Sequence, residues 1–380
     1  MKRRSNTPFL NTIRTKNLPT IQIISKQQSV AMKVFQSFLL FGVVLILFSS
    51  CDQKKLFPNL SEEKKKEQFF FESMPLEVDW TTPAPEPFLN EKVNFDFAGN
   101  IRYGKHRRNK FDIVIPESDT PTPLVIYIHG GGFTRGDKKA AYIHSDSIRQ
   151  FLQNGVAFAT INYRYLEHTK DGVRECLEDC RDFLQFIRYY ATDFNLDKER
   201  IACYGPSAGG GAGLWLGMHD DFADPMNSDL LKQESTRLSA VVSLGTQATY
   251  DLARWEDIFM EYDFSLSSPM FDQQTLYNFY VIDSLPQLYD EEIVSYREGV
   301  DMIKLMDADD APVYVDNVGK ALAPEDILDL YHHPYHAHAL DQRAEAVGLD
   351  HVIVAEKSGL TDANNKGPVQ FILERFKEEE

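Results

Sequence analysis

The sequence predicts an α/β fold in which a mostly parallel central sheet carries helices on both faces, together with a helical insertion. Two observations support this prediction. Short apolar runs such as residues 124–128 have the length and composition of strands that are buried on both faces. Segments with helical spacing of apolar residues, such as residues 175–194, lie between these runs. Strands that alternate with helices form parallel sheets, whose ligands bind at the carboxyl ends of the strands.

The predicted elements follow one another along residues 93–377. The strands are predicted at residues 93–97, 111–115, 124–128, 156–163, 201–204, 239–244, 312–315 and 352–355. The helices are predicted at residues 145–154, 175–194, 208–218, 334–347 and 368–377. The first two strands are joined by a basic stretch, residues 105–110, which we interpret as a solvated turn.

A long insertion separates the strands predicted at 239–244 and 312–315. It is rich in aromatic side chains, which include Trp255, Phe259, Tyr262, Phe264, Phe271, Tyr277, Phe279 and Tyr280. Such a cluster forms either the wall of a substrate pocket or ordinary core, and the sequence leaves both interpretations open.

Composition limits the class of protein. The chain has 380 residues, of which 43% are hydrophobic, and this is enough for one large core. It carries 40 basic and 57 acidic residues and a net charge of −17, which argues against nucleic acid as a partner. The four cysteines, Cys51, Cys176, Cys180 and Cys203, are too few for a disulfide framework.

Two glycine-rich motifs follow predicted strands directly. The segment His-Gly-Gly-Gly-Phe occupies residues 129–133, and Gly-Pro-Ser-Ala-Gly occupies residues 205–209. Glycines on both sides of a serine allow a sharp turn from strand to helix. Consecutive glycines allow main-chain N–H groups to point at a developing oxyanion. Together the motifs resemble the α/β-hydrolase superfamily, specifically its carboxylesterase and hormone-sensitive-lipase-like branch.

This resemblance implies a serine esterase that cleaves carboxylic esters without a cofactor. Ser207 would be the nucleophile, and the N–H groups of Gly131, Gly132 and Ala208 would form the oxyanion hole. The substrate is expected to be a small-molecule or carbohydrate ester, such as an acyl group on a polysaccharide, by analogy with the branch.

The position of the catalytic base departs from the family pattern. The resemblance implies the chain order serine, acid, histidine, with the histidine after the strand at 352–355. No histidine follows His351, whereas His332, His333, His336 and His338 lie between the last two strands.

Within this group, we expect the base to be His332 or His333, just before the helix at 334–347. His336 and His338 fall in the first turns of that helix, where they are expected to face solvent or to cap it. Asp329 is favoured as the orienting acid over Asp316 and Asp326.

Three interpretations of this region remain open. The triad could be rearranged within one loop, the base could be lost in a hydrolase-like binding module, or the four histidines and Asp329 could bind a metal. We favour an active enzyme without a metal, because a strained serine turn and a glycine-rich loop would have no purpose in an inactive protein. A peptidase of the same fold is the alternative enzyme.

The first ninety residues predict export and a lipid anchor. A charged head, a short apolar run at 38–48 and small residues before Cys51 are the parts of a secretory signal, and they resemble a bacterial lipobox. An ordinary signal peptide with an incidental cysteine is the alternative. We expect an over-extended start at 1–31, a lipoprotein signal peptide at 32–50, a tether at 51–90 and the catalytic domain at 91–380. The protein would then be anchored in the cell envelope, in a membrane that the sequence does not identify.

Overall fold

The computed structural model describes Leu76 and residues 78–85, 93–320 and 322–378. They belong to a compact unit that spans Pro75–Glu380. The predicted start, the signal peptide and Cys51 lie outside the described residues.

The chain joins this unit before the predicted domain boundary at residue 91. Leu76 and Val78 pack against the main hydrophobic core. The rings of Trp80 and Phe194 meet edge to face, with their centroids 6.1 Å apart. The end of the predicted solvated tether is therefore part of the folded unit.

The centre of the unit is an eight-stranded sheet with the order β1-β2-β4-β3-β5-β6-β7-β8. Its strands are β1 (Phe95–Arg102), β2 (Lys110–Pro116), β3 (Thr122–Ile128), β4 (Ala157–Asn162), β5 (Leu196–Pro206), β6 (Ala240–Leu244), β7 (Val313–Asp316) and β8 (His351–Val354). Strand β2 runs antiparallel to both of its neighbours, and β3 to β8 are parallel. This topology confirms the predicted mostly parallel sheet.

The described helices cover both faces of the sheet. They are α1 (Ser145–Gln153), α2 (Val173–Tyr189), α3 (Ala208–Met218), α4 (Trp255–Ile258), α5 (Gln273–Tyr280), α6 (Glu291–Glu298), α7 (Met302–Leu305), α8 (Ile327–Tyr331), α9 (Pro334–Val347) and α10 (Gly367–Glu378). Side chains of α1 and α10 pack on one face, and those of α2, α3 and the insertion between β6 and β7 pack on the other. Within the described residues, we find no helix with the length and apolarity needed to span a membrane.

Helix α3 is central because it is apolar on every side. All eleven of its residues are buried. Its glycines allow the helix to approach the sheet closely: a Cβ atom on Gly209 would lie 1.9 Å from the carbonyl oxygen of Ile128. The close approach fixes the beginning of α3 against the end of β3.

The boundaries of α9 are those that the sequence predicts. Pro334 occupies the first helical position, where its missing N–H costs no hydrogen bond. The helix ends at Val347 and is followed by Gly348, whose φ of +81° is a left-handed conformation that favours glycine.

Most of the aromatic side chains in the insertion pack as core. Of the eight named above, the buried ones are Trp255, Phe259, Phe271, Phe279 and Tyr280. The ring of Phe279 contacts that of Phe133, with centroids 6.1 Å apart. The insertion therefore packs against the glycine-rich loop that follows β3.

Candidate active site

Ser207 lies on the turn between β5 and α3. Its φ of 50° and ψ of −126° form a conformation that side-chain-bearing residues rarely adopt. The N–H of Ser207 donates to the carbonyl oxygen of Leu244 at 2.8 Å, which fixes the turn. The loop after β3 passes directly over it, since a Cβ on Gly130 would lie 3.3 Å from the Ser207 Cβ. The strained turn holds the serine at the carboxyl edge of the sheet.

The loop after β3 has main-chain donors available for an oxyanion. The carbonyl oxygen of Gly131 accepts the N–H groups of Thr134 and Arg135 at 3.1 and 3.2 Å. Gly131 and Gly132 have φ values of +116° and +59°. Among the described residues, the N–H groups of Gly131, Gly132 and Ala208 have no acceptor. The three N–H groups that were predicted to form an oxyanion hole are therefore free to donate.

The histidine beside the serine is His332, which directly follows α8. Its Nε2 atom lies 2.9 Å from Ser207 Oγ. The ring lies against Gly245, where an added Cβ would be 3.7 Å from it. Burial lowers the pKa of His332 below 6.5, so the imidazole is neutral at neutral pH and can accept a proton. The loop after β7 thus places a histidine beside the serine that follows β5.

His333, the other candidate base, is directed elsewhere. Its Nδ1 atom accepts the N–H of Tyr335 at 3.1 Å, and its Nε2 atom lies 2.9 Å from the carbonyl oxygen of Leu322. The side chain therefore caps the beginning of α9. We expected the base to be His332 or His333, and the structure rules out His333.

The two histidines inside α9 have separate partners. His336 is fully buried, with its ring 4.7 Å from that of Trp255 and its Nε2 atom 3.2 Å from the carbonyl oxygen of Leu330. Burial lowers its pKa to about 3, and the expectation that it faces solvent or caps the helix is wrong. His338 contacts Ser358 Oγ at 2.8 Å. Among the described residues, no three His, Cys, Asp or Glu side chains are grouped to hold a metal.

Asp329 does not orient His332. Its Oδ2 atom accepts the N–H of Glu325 at 3.3 Å, and its charge acts on His333. Among the described residues, no carboxylate forms a hydrogen bond or ion pair with His332. Asp316 ends β7, but its buried Oδ1 has no partner, and burial raises the pKa of its carboxyl group. The structure contradicts the predicted acid and shows a serine–histidine pair.

Two buried amide side chains hold the main chain on either side of His332. Gln247 Nε2 donates to the carbonyl oxygen of Tyr331 at 2.8 Å. Asn317 Nδ2 donates to the carbonyl oxygen of His333 at 3.1 Å. The backbone that carries the base is therefore tied to the ends of β6 and β7. Sequence reasoning missed both residues.

The oxyanion loop is braced from its outer side. His129 Nδ1 lies 2.7 Å from the carbonyl oxygen of Gly130, and the ring stacks on Tyr163 with centroids 4.3 Å apart. Burial lowers the pKa of His129 to about 4, so it serves as a neutral structural group. Arg108 donates to the carbonyl oxygens of Tyr163 at 2.8 Å and Gly136 at 3.2 Å. Arg108 thus belongs to the site's support, and the basic turn is more than the predicted solvated turn.

An open groove elsewhere on the surface lies between α4, α7 and α9. Its lining includes Arg254, Tyr335, His338 and Arg343. Ser207 is not part of this lining, so the groove is separate from the serine–histidine pair.

Comparison with known proteins identifies related sequences over part of the chain. The family model described as BD-FAE matches residues 111–272, which are less than half of the chain. A probable isoprenylcysteine alpha-carbonyl methylesterase of Arabidopsis thaliana is 23% identical over 161 residues, which are 42% of this chain and 32% of that protein. An arylesterase of Saccharolobus solfataricus is 27% identical over 126 residues, 32% of this chain and 40% of that protein. The chain spans about a third of the length of the curated relatives it matches.

Solved structures share the fold over most of the described unit. A truncated carbohydrate esterase from gut microbiota has a TM-score of 0.56 at 16% identity and covers 76% of this chain and 98% of its own. This chain has the α/β-hydrolase fold. A bifunctional GH43-CE protein of Bacteroides eggerthii, with a TM-score of 0.53 at 18% identity, covers 74% of this chain and 38% of its own. The predicted fold is confirmed, and several of the matched proteins are esterases by name.

Proposed function

We propose that this α/β-hydrolase is a serine esterase that hydrolyses carboxylic esters with Ser207 and His332. The observation that supports the proposal most strongly is the 2.9 Å contact between His332 Nε2 and Ser207 Oγ. This distance is within the hydrogen-bond range that a nucleophile and its base require. The free N–H groups of Gly131 and Gly132 belong to the loop after β3, which covers the serine.

The reaction follows from these positions. Ser207 Oγ attacks the ester carbonyl carbon while His332 Nε2 takes the hydroxyl proton. The N–H groups of Gly131, Gly132 and Ala208 stabilise the negative oxygen of the tetrahedral intermediate. The intermediate collapses to an acyl-serine, and His332 gives its proton to the departing alcohol. Water then attacks the acyl-serine with His332 again as the base, which releases the carboxylic acid and regenerates the serine.

The base works in this proposal without a carboxylate partner. A carboxylate would orient the imidazole and stabilise the imidazolium ion. Here the ring position comes from the backbone ties of Gln247 and Asn317, and the low pKa of His332 keeps it ready to accept a proton.

The substrate in this proposal is a small-molecule or carbohydrate ester. The matched proteins include a carbohydrate esterase and an arylesterase by name, and these names support the proposal by analogy.

Covalent labelling of the purified protein with a fluorophosphonate probe tests the proposal. We expect labelling at Ser207 and loss of 4-nitrophenyl acetate hydrolysis in Ser207→Ala and His332→Ala. Ser358→Ala is the matched control, because Ser358 also contacts a histidine, His338, at 2.8 Å. Unchanged hydrolysis in Ser207→Ala would place the chemistry elsewhere. A wild type that neither labels nor hydrolyses any ester would favour the binding-module interpretation.

We also propose that the protein is anchored in the cell envelope by lipid on Cys51. The support is the sequence pattern before this cysteine, which lies outside the described residues. Cys51→Ala should move the protein from the membrane fraction to the soluble fraction. Native peptides from residues 1–31, found by mass spectrometry, would contradict the proposed start at Met32.

A further inference from the structure

The basic turn between β1 and β2 lies at the active-site edge of the sheet. Strand β2 is antiparallel to β4, and Lys110 at its start pairs with Asn162 at the end of β4. The turn therefore lies at the same edge as Ser207, which follows the parallel strand β5. Because β2 is three strands from β5, the spacing of about 4.8 Å per strand places the turn roughly 14 Å from the serine.

The positive side chains at this edge outnumber the carboxylates near them. We define the basic surface as Lys105, Arg107, Arg108, Lys110 and Arg135. In the part of the chain that the structure describes, none of these forms an ion pair with a carboxylate. A chain with a net charge of −17 thus has an excess of positive charge beside its active site.

Two of the three nearby carboxylates, Asp112 and Asp137, already have partners. Asp112 pairs with Lys138 at 2.6 Å. Asp137 accepts a hydrogen bond from Asn162 Nδ2 at 2.8 Å. Glu167 is exposed and lies 3.4 Å from His168 Nε2, which accepts from Arg107, so Glu167 leaves one negative charge at this surface. Arg108 is held by main-chain carbonyl oxygens, so the side chains that remain available to an external anion are those of Lys105, Arg107, Lys110 and Arg135.

The basic surface contacts the loop that covers the nucleophile. Arg108 stacks on the ring of Tyr165 at 3.7 Å, and the Tyr165 hydroxyl donates to the carbonyl oxygen of Gly136. Arg107 Nη2 lies 2.8 Å from His168 Nε2, which must accept, because a guanidinium only donates. A substrate that reaches from Ser207 across this loop would meet these side chains.

We propose that the basic surface binds anionic groups of the substrate, so that the preferred ester is carried by a carbohydrate chain bearing carboxylate or sulfate groups. This inference rests on the proposed ester hydrolysis. A chain of a few sugar rings spans the distance from the serine to the turn. Guanidinium groups bind carboxylate and sulfate oxygens through paired hydrogen bonds. Anionic lipid headgroups would satisfy the same charges, but the position beside the oxyanion loop favours the substrate.

The test compares two acetylated trisaccharides of equal size. Acetylated trigalacturonate carries carboxylates, and acetylated galactotriose carries none. For the wild type at low ionic strength, we expect kcat/KM to be roughly tenfold higher for the anionic trisaccharide, with a smaller difference at high salt. Sulfated acetylated galactotriose distinguishes sulfate from carboxylate as the preferred anion. Equal kcat/KM for the neutral and both anionic trisaccharides would overturn the inference.

Variants assign the preference to the basic surface. In the double variant Lys105→Gln, Arg107→Gln, the ratio of the two kcat/KM values should fall close to one. The control Lys357→Gln, Lys377→Gln removes two exposed lysines elsewhere and should keep the wild-type ratio. Arg108 is left intact because it braces the oxyanion loop. Since each ratio is measured on one protein, differences in folded fraction cancel.

Two further measurements separate the remaining outcomes. If the Lys105, Arg107 variant keeps the substrate ratio but loses binding to phosphatidylglycerol vesicles, the surface serves a membrane and the inference is overturned. Calorimetric binding of trigalacturonate to Ser207→Ala tests the surface without turnover. Suppose that Ser207→Ala binds trigalacturonate while the wild type hydrolyses no ester. This result would contradict the proposed function and support anion recognition.

Discussion

Removing the side chain of Asn317 should separate stability from catalysis. This side chain is fully buried and makes three hydrogen bonds. It accepts from the N–H of Thr246 at 3.0 Å, donates to the carbonyl oxygen of Thr246 at 2.9 Å, and donates to that of His333 at 3.1 Å. The first two bonds tie β7 to the loop after β6, and the third fixes the backbone next to His332.

The expected magnitudes follow from these bonds. At about 1 kcal/mol net for each hydrogen bond, Asn317→Ala should lose about 3 kcal/mol of unfolding free energy. The released backbone would let His332 move away from Ser207. Because a displacement of about 1 Å can reduce a rate roughly 100-fold, we expect kcat to fall by about that factor with little change in KM.

Gln185→Ala is the matched control. Gln185 is also a buried amide, and its Nε2 atom donates to the carbonyl oxygens of Glu234 at 2.9 Å and Lys232 at 3.4 Å. This variant should lose about 2 kcal/mol of stability by the same count. Its kcat for 4-nitrophenyl acetate should stay at the wild-type value. Chemical denaturation and steady-state kinetics on both variants provide the comparison.

An Asn317→Ala protein with reduced stability and wild-type kcat would refute the reasoning. The side chain would then support the fold alone, and some other contact would have to position the base. A Gln185→Ala protein that loses kcat to the same extent would also contradict it, because any loss of stability would then reduce catalysis.

Two other predictions follow from the geometry. Burial lowers the pKa of His332 below 6.5, and the base must be neutral to accept a proton. We therefore expect kcat/KM to fall only as the pH drops through a midpoint below 6.5. A midpoint above 7 would reveal a carboxylate near the ring. Gly131→Ala should reduce kcat by about 100-fold or more, because an added Cβ would lie 2.2 Å from the carbonyl oxygen of Arg135 and move an oxyanion donor. The control is Gly348→Ala, where the φ is also positive but no atom lies near the added Cβ, so this variant should lower stability and leave kcat unchanged. Equal losses of kcat in Gly131→Ala and Gly348→Ala would refute the oxyanion assignment.

The fold could be predicted because its strongest signals are local. The apolar run that forms β3 is buried almost throughout, so composition alone indicates a central strand. Helix α9 has proline at its first position and glycine after its last, and both ends were predicted to the residue. The serine turn and the oxyanion loop are contiguous motifs, which a sequence displays directly.

The support of the site depends on contacts between distant segments, which the sequence does not display. Arg108 was interpreted as part of a solvated turn, because only the antiparallel direction of β2 brings it to the oxyanion loop. Asn317 and Gln247 act through main-chain carbonyl groups, and no motif marks such contacts. His336 lies in a helix segment with polar residues on several sides, so periodicity could not identify its buried face.

The orienting acid was mispredicted for a reason that the backbone explains. Asp329 precedes His332 by three residues, and side chains three apart on a helix lie on one face. His332, however, is the residue after the last turn of α8, with φ −115° and ψ 20°, and this departure from helical geometry turns its ring toward Ser207. Asp329 remains in the first turn, where its carboxylate accepts a main-chain N–H. One change of backbone direction therefore brings His332 to Ser207 and separates His332 from Asp329, the nearest carboxylate in sequence. As a result, neutral amide side chains rather than a carboxylate position the histidine.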